Sequence, residues 1–310
     1  MSNQVVLLFS GQGAQSVGMG KDLAKIAGDE GNLLAQADGI LGWSLSQAMF
    51  EGPIEELTRT SRCQPALYVH GMLGLKLLKE RVPNLDIAGT AGLSLGEFTA
   101  HAAAGTFDFE TGLRLVAKRG QFMEEATDAT QGSMAAMIGG DESAVVELAK
   151  ECNVDVANFN APGQIVLSGS EKGIAEAVSG AKDKGIKLAK QLTVAGAYHS
   201  KMMKPAQEKL AIELQQVAFQ TPQVPVVCNV EAQEVSSADA IRSTLEAQVT
   251  GSVRWTESMQ VFLDRGITQF IELGPGGVLA GLMRRIDRSA TIMKIEDVAS
   301  LEAAVEAMNA

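Results

Sequence analysis

Gly92-Leu93-Ser94-Leu95-Gly96 fits G-x-S-x-G, the spacing of a nucleophile elbow. The chemistry such a turn serves is acyl transfer through a serine. The turn lifts the Ser94 hydroxyl into a cleft, and backbone N–H groups at the start of the next helix face a developing oxyanion. Glycines flank the serine because a sharp strand-to-helix turn leaves no room for a Cβ. The plainer reading is a Gly/Ser loop that merely turns the chain. The flanks favour the elbow: the apolar, small-residue run Ile87 to Leu93 predicts a buried strand, and Glu97 to Ala104 predicts a helix.

A serine nucleophile needs a base within hydrogen-bond reach, most often histidine. The chain has three histidines, so elimination has force. His101 lies on the same helix as the elbow, roughly 10 Å along its axis at 1.5 Å per residue, and reads as a packing residue. His70 sits among Tyr68, Val69 and Met72 in an apolar helix and reads as a core histidine. His199 follows Ala195-Gly196-Ala197 and precedes a helix opening with Ser200 and Lys201. That position between elements makes it the expected base. No acid stands out to orient the imidazole, and a backbone carbonyl accepting the Nδ1 proton can do so instead.

Two further groups are open at this level. Arg119 shares a helix with Arg114 and Lys118, where a solvated face is the plainer reading; the alternative is a fork gripping a carboxylate. Ser10-Gly11-Gln12-Gly13-Ala14-Gln15 follows a strand and nearly makes a dinucleotide fingerprint. The third small position is Ser16, and no second strand ending in an acid follows at the right distance. The other use of a Gly-flanked Gln after a strand is to present a polar group into a cleft.

These residues need a frame. Gln4 to Phe9 predicts a buried parallel strand, and an amphipathic helix is expected near Asp22 to Ala37. Pro53 reads as a helix N1 position before Ile54. Arg62 to Glu80 predicts an apolar helix opened by Pro65, and Phe109 to Ala126 a helix beyond the elbow. Residues 128 to 198 read β-α-β-β-α-β: Ser133–Ile138, Glu142–Lys150, Val154–Phe159, Gln164–Ser168, Lys172–Lys184 and Ile186–Leu192. That order is the ferredoxin-like split unit, inserted in a larger α/β layout with a cleft between the two. The tail predicts helices over Ser200–Val217, Ala240–Gln248 and Trp255–Arg265, a strand at Val224–Asn229, and Gln269–Leu273 as the final parallel strand.

Composition narrows the function classes. The 310 residues are 46% hydrophobic, enough for one large core plus a small inserted unit. A net charge of −11 with no basic run argues against nucleic acid or an anionic membrane surface as partner. Cys63, Cys152 and Cys228 lie far apart, without C-x-x-C, and read as reduced packing thiols of a cytoplasmic protein; no metal is expected. No apolar run reaches the ~18 residues of a membrane span, and the chain enters a strand almost at once, with no leader expected.

Taken together, the motifs resemble those of the malonyl-CoA:acyl carrier protein transacylases, acyltransferases that load malonyl units for fatty-acid and polyketide synthesis. The resemblance runs almost end to end. It rests on Gly11-Gln12-Gly13-Ala14-Gln15, Gln64-Pro65-Ala66, Gly92-Leu93-Ser94-Leu95-Gly96-Glu97, Arg119-Gly120, Asn158-Phe159-Asn160-Ala161-Pro162-Gly163-Gln164, His199, Val253-Arg254-Trp255 and Gly274-Pro275-Gly276-Gly277-Val278-Leu279. It implies an α/β-hydrolase-like large domain (1–127 and 199–310) with a mostly parallel sheet, plus a ferredoxin-like small subdomain (128–198). Ser94 would be the acylated nucleophile and His199 its base, oriented by the main-chain carbonyl of Arg254. The N–H groups of Gln12 and Leu95 would form the oxyanion hole, and Arg119 would bind the malonyl carboxylate. Leu93 and Ser10 stand where the family often has His and Pro. Tyr198 is expected to narrow the acyl pocket toward malonyl over methylmalonyl.

The implied reaction is ping-pong transfer of malonyl from malonyl-CoA to the phosphopantetheine thiol of holo acyl carrier protein, with no cofactor. A freestanding monomer leans toward fatty-acid synthesis. The rivals are a serine esterase or thioesterase passing the acyl group to water, and a non-catalytic carrier-protein docking module.

Overall fold

A computed structural model describes residues 4–28 and 33–309. It is a mixed α/β structure built on two separate sheets. The strands are β1 (Val5–Phe9), β2 (Ile87–Gly92), β3 (Gly132–Ile138), β4 (Asp155–Ala161), β5 (Gln164–Ser170), β6 (Leu188–Gln191), β7 (Val226–Val227), β8 (Glu234–Val235), β9 (Gln269–Leu273) and β10 (Thr291–Ile295).

The larger sheet has the order β10-β9-β1-β2-β7-β8, parallel throughout except for the short β7–β8 pair. Its middle strand shows why a continuous apolar run reads as buried on both faces. Every residue of β1 is buried. Successive side chains point to opposite faces of a strand, so Val5, Leu7 and Phe9 join one core while Val6 and Leu8 join another. The first core holds the Thr60–Arg81 helix and the second holds Trp255, Met259 and Phe262.

The smaller sheet is antiparallel, with the order β4-β5-β3-β6, and the Glu142–Glu151 and Glu171–Gly180 helices contribute to its own core around Leu148, Leu167 and Ile174. An isolated parallel bridge pairs Asn158 of β4 with Val253, a residue outside both sheets that precedes the Trp255–Leu263 helix, flanked by Phe159 N–H to Val253 O at 2.9 Å and Val253 N–H to Ala157 O at 2.8 Å.

Several expected elements shift, each for a local reason. The Asp22–Ala37 helix is instead two, Lys21–Ala27 and Leu33–Leu41; the first is capped by Gly28 at φ 68, and residues 29–32 lie outside the described residues. Pro53 is the N-cap of Ile54–Thr58 rather than its first helical residue. The Thr60–Arg81 helix begins before Pro65 and holds it inside. Gln269–Leu273 is not the last strand, because β10 pairs beyond it at the sheet edge. Among the described residues, no helix is long and apolar enough to cross a membrane.

Candidate active site

The elbow forms because two glycines let backbones approach where a side chain would collide. A Cβ on Gly92 would lie 1.9 Å from the carbonyl carbon of Gly96, and one on Gly96 would lie 2.1 Å from the carbonyl oxygen of Phe9. Neither obstacle is a side chain that can rotate away. Gly96→Ala is therefore expected to cost about 3 kcal/mol or more and to lower the melting temperature measurably, whereas a wild-type melting curve would overturn the close-approach argument. Ser94 itself sits at φ 57, between the end of β2 and the Leu95–Ala103 helix. Asn229 holds that strained turn: its Oδ1 accepts from the Ser94 N–H at 2.7 Å, and its Nδ2 donates to Gly92 O at 2.8 Å.

The Ser94 hydroxyl lies 2.7 Å from Nε2 of His199, which is buried and also holds a positive φ of 55°. On the other side of the ring, Nδ1 is 2.9 Å from the Gln248 carbonyl and 3.1 Å from that of Gly251. Carbonyls only accept, so Nδ1 carries the proton and Nε2 presents its lone pair to the serine. Burial, and then the nearby Arg119, hold the imidazole down to about 4, which keeps it neutral and ready to accept a proton.

Arg119 reaches the same point from the Phe109–Asp128 helix. Only 1% exposed, it donates from Nη1 to Gln64 Oε1 at 2.8 Å, and from Nη2 to Gln248 Oε1 at 2.7 Å and Ser94 Oγ at 3.1 Å. Burial pulls its pKa down to about 10, still well on the cationic side of neutral. Its hydrogen-bond partners are all neutral, and its Nε has none. A buried cation held this way lacks an anion in contact.

These groups line a cavity of about 540 Å³. Gln12, Gln64, Ser94, Leu95, Arg119 and His199 form one side, and Met134, Asn158, Asn160, Gln164 and Val166 of the antiparallel sheet form the other. A second cavity of about 550 Å³ opens elsewhere, beside Trp43, with no serine–histidine pair. The first arrangement supplies a hydroxyl, a neutral base and an anion-seeking cation within one cleft.

Residues 6–305 match the family model described as acyl transferase domain. The chain is 39% identical to the malonyl CoA-acyl carrier protein transacylase of Bacillus subtilis, over 99% of this chain and 98% of that one. The chain belongs to the malonyl CoA-acyl carrier protein transacylase family. It is also 40% identical to a polyketide biosynthesis malonyl CoA-acyl carrier protein transacylase of Bacillus subtilis, over 93% of this chain and 99% of that one. A solved structure described as a type II PKS acyl-carrier protein in complex with its malonyl-transacylase superposes with a TM-score of 0.94 at 37% identity, over 98% of this chain and 99% of that one.

Within this transacylase family frame, the structure brings together Ser94, His199, Arg119, Gln12 and Leu95 around the one cavity. It departs from expectation at Arg254. That residue is the N-cap of the Trp255–Leu263 helix, and its carbonyl is taken by Ser258, from both N–H and Oγ at 2.9 Å. A carbonyl spent on the first helical turn cannot also face His199, and Gln248 and Gly251 do so instead. Arg119 likewise leaves the solvated face: Arg114 pairs with Glu110 at the surface, while about 100° of helical rotation per residue turns Arg119 inward. His101 and His70 are both fully buried, bonded to Thr106 Oγ1 and Glu296 O respectively.

Sequence reading missed Gln248 and Asn229. A glutamine at the end of a helix carries no signal of its own. Asn229 did carry one, as a polar residue just past the carboxyl end of a parallel strand, where ligands of open α/β sheets gather.

The neutral His199 gives a pH expectation. With the imidazole at about 4 in the free protein, acyl loading measured as kcat/KM should show no histidine limb as pH falls through 6.5, the ordinary histidine value, and should show that limb only near 4. An inflection near 7 that disappears in Glu97→Gln belongs to Glu97, which burial pushes up to about 7. An acid limb at 6.5 that persists in that variant would contradict the assignment.

Proposed function

We propose that this chain moves a malonyl group from malonyl-CoA to the phosphopantetheine thiol of holo acyl carrier protein. Ser94 Oγ attacks the thioester carbonyl while Nε2 of His199 takes its proton. The N–H groups of Gln12 and Leu95 receive the oxyanion; Leu95 is the first residue of its helix, so its N–H has no intrahelical acceptor. The C–S bond breaks, and the CoA sulfur leaves with the proton from His199. The carrier thiol then attacks the malonyl-Ser94 ester, gives its proton to His199, and Ser94 leaves and recovers that proton. Arg119 binds the free malonyl carboxylate throughout.

Arg119 carries the malonyl part of this reading, and the likeness to transacylases over nearly the whole chain favours transfer over hydrolysis. A buried guanidinium 3.1 Å from the nucleophile, held by neutral glutamines, is a built receptor for an acyl group with its own carboxylate. Tyr198, whose hydroxyl lies 2.6 Å from Thr60 Oγ1, walls the same cavity and is expected to narrow it against an α-methyl branch.

Intact mass after brief mixing with malonyl-CoA tests the reading. A malonyl adduct that persists until holo acyl carrier protein is added, with none from methylmalonyl-CoA unless Tyr198 is replaced by Ala, is the expected result. Free CoA released quickly without carrier protein would make the chain a thioesterase.

The same reading divides the chain into an α/β-hydrolase-like unit (1–127 with 199–310) and a ferredoxin-like unit (128–198). Its support is that every strand of the antiparallel sheet falls between residues 132 and 191, in the order β4-β5-β3-β6. We take the molecule as a cytoplasmic monomer; the free thiols at Cys63, Cys152 and Cys228 support the reducing compartment. A sedimentation experiment showing a stable dimer would overturn the monomer.

A further inference from the structure

Ser94-Leu95-Gly96-Glu97 has the S-x-x-E spacing of a helix capping box, in which the serine takes a backbone N–H and the glutamate reaches back to the serine N–H. Neither bond forms. The Ser94 side chain caps nothing, and its N–H goes to Asn229. Glu97 turns inward instead, fully buried, where its Oε2 accepts from Gln248 Nε2 at 2.6 Å and from the Asn229 N–H at 3.1 Å. Its Oε1 has no hydrogen-bond partner.

The Gln248 amide stands between Glu97 and Arg119, and an amide has two faces that a flip interchanges. The Arg119 guanidinium can only donate, so it requires the amide oxygen. Glu97 in its carboxylate form can only accept, so it requires the amide nitrogen. The second bond of that nitrogen goes to the Ser94 carbonyl at 2.9 Å. One carboxylate and one cation thus select the same orientation, and every polar atom of the Gln248 side chain is used. The backbone carbonyl of this same residue faces His199.

We propose that Glu97 is a positioning residue for acyl selectivity: by fixing the Gln248 amide, it holds the Arg119 guanidinium at Ser94 in the orientation that reads a carboxylate on the acyl group. This rests on the transfer reading above. Without an acceptor at position 97, one amide hydrogen of Gln248 is orphaned in the interior, and the amide gains a reason to turn its nitrogen toward the arginine.

The test compares rates of adduct formation from malonyl-CoA and acetyl-CoA by intact mass. It uses wild type, Glu97→Ala, Glu97→Met and Glu97→Gln, each with and without Arg119→Ala. A wild type that forms no malonyl adduct defeats the transfer reading itself, separately from the role of Glu97. Given that adduct, Glu97→Ala should lower the malonyl-to-acetyl ratio about tenfold, the scale of one charge-assisted hydrogen bond. Glu97→Met, of similar volume and without an acceptor, should do the same and covers the case in which Ala fails to fold. Glu97→Gln can place its amide oxygen where Oε2 stands, and should keep the ratio within about threefold of wild type. With Arg119→Ala present, replacing Glu97 should move the ratio no further. A ratio unchanged in both Ala and Met variants, or one that shifts equally without Arg119, overturns the proposal.

Discussion

Replacing Ser94 with alanine should abolish the malonyl adduct and cut transfer to carrier protein by at least about 10⁴-fold, the scale seen when a nucleophile is deleted from a serine–histidine pair. The expectation follows from geometry. Ser94 Oγ is the hydroxyl lying 2.7 Å from Nε2 of His199, whose other nitrogen is committed to two carbonyls. Removing the oxygen also removes a hydrogen bond from Arg119, which keeps its two glutamine partners. The fold should therefore survive, because the turn is held by Asn229 on the Ser94 backbone rather than on its side chain. The control is a melting curve: lost loading with an unchanged curve isolates the chemistry. A Ser94→Ala protein that still forms a stable malonyl adduct would place the nucleophile elsewhere.

Arg119→Ala should invert the acyl preference. Loading from malonyl-CoA should fall by about 10²- to 10³-fold in kcat/KM, the loss expected when a substrate carboxylate is left buried without its cation. Acetyl-CoA, which offers no carboxylate, should lose far less or gain, since the cavity then no longer contains a buried cation to satisfy. The readout is the ratio of the two loading rates. Equal losses for both substrates would mean that Arg119 only supports Ser94 and His199, and would remove the carboxylate-binding role.

Much of this site was legible because its signals were local. β1 announced itself as a continuous apolar run, and the elbow glycines as residues that backbone crowding demands. The base emerged by elimination, because His101 lies roughly 10 Å along the elbow helix and His70 sits among apolar neighbours in another helix. What stayed hidden was tertiary. Which carbonyl meets Nδ1 of His199 depends on how the end of the Ala238–Ala247 helix packs against the loop carrying His199, and no spacing encodes that. Arg119 was obscured by Arg114 and Lys118, charged neighbours whose types say nothing of which way the helix turns. β10 went unread although Thr291-Ile292-Met293-Lys294-Ile295 is rich in strand-forming residues; it is a short, mostly half-buried edge strand.

The cavity has two walls of unlike character. Ser94, His199, Arg119 and Gln64 all lie outside residues 132 to 191, and among the described residues no hydrogen bond joins them to the side chains that the antiparallel sheet turns to the space they share. Bond making and charge reading are therefore carried by one part of the chain, and the shape offered to whatever enters is carried by another. Side chains such as Met134 and Val166 can change the fit of an incoming arm without altering any hydrogen bond that sets the nucleophile, the base or the cation. Reactivity and acceptor choice can thus be tuned on separate surfaces, so a new partner is accommodated by recutting the wall while the chemistry behind Ser94 stays as it is.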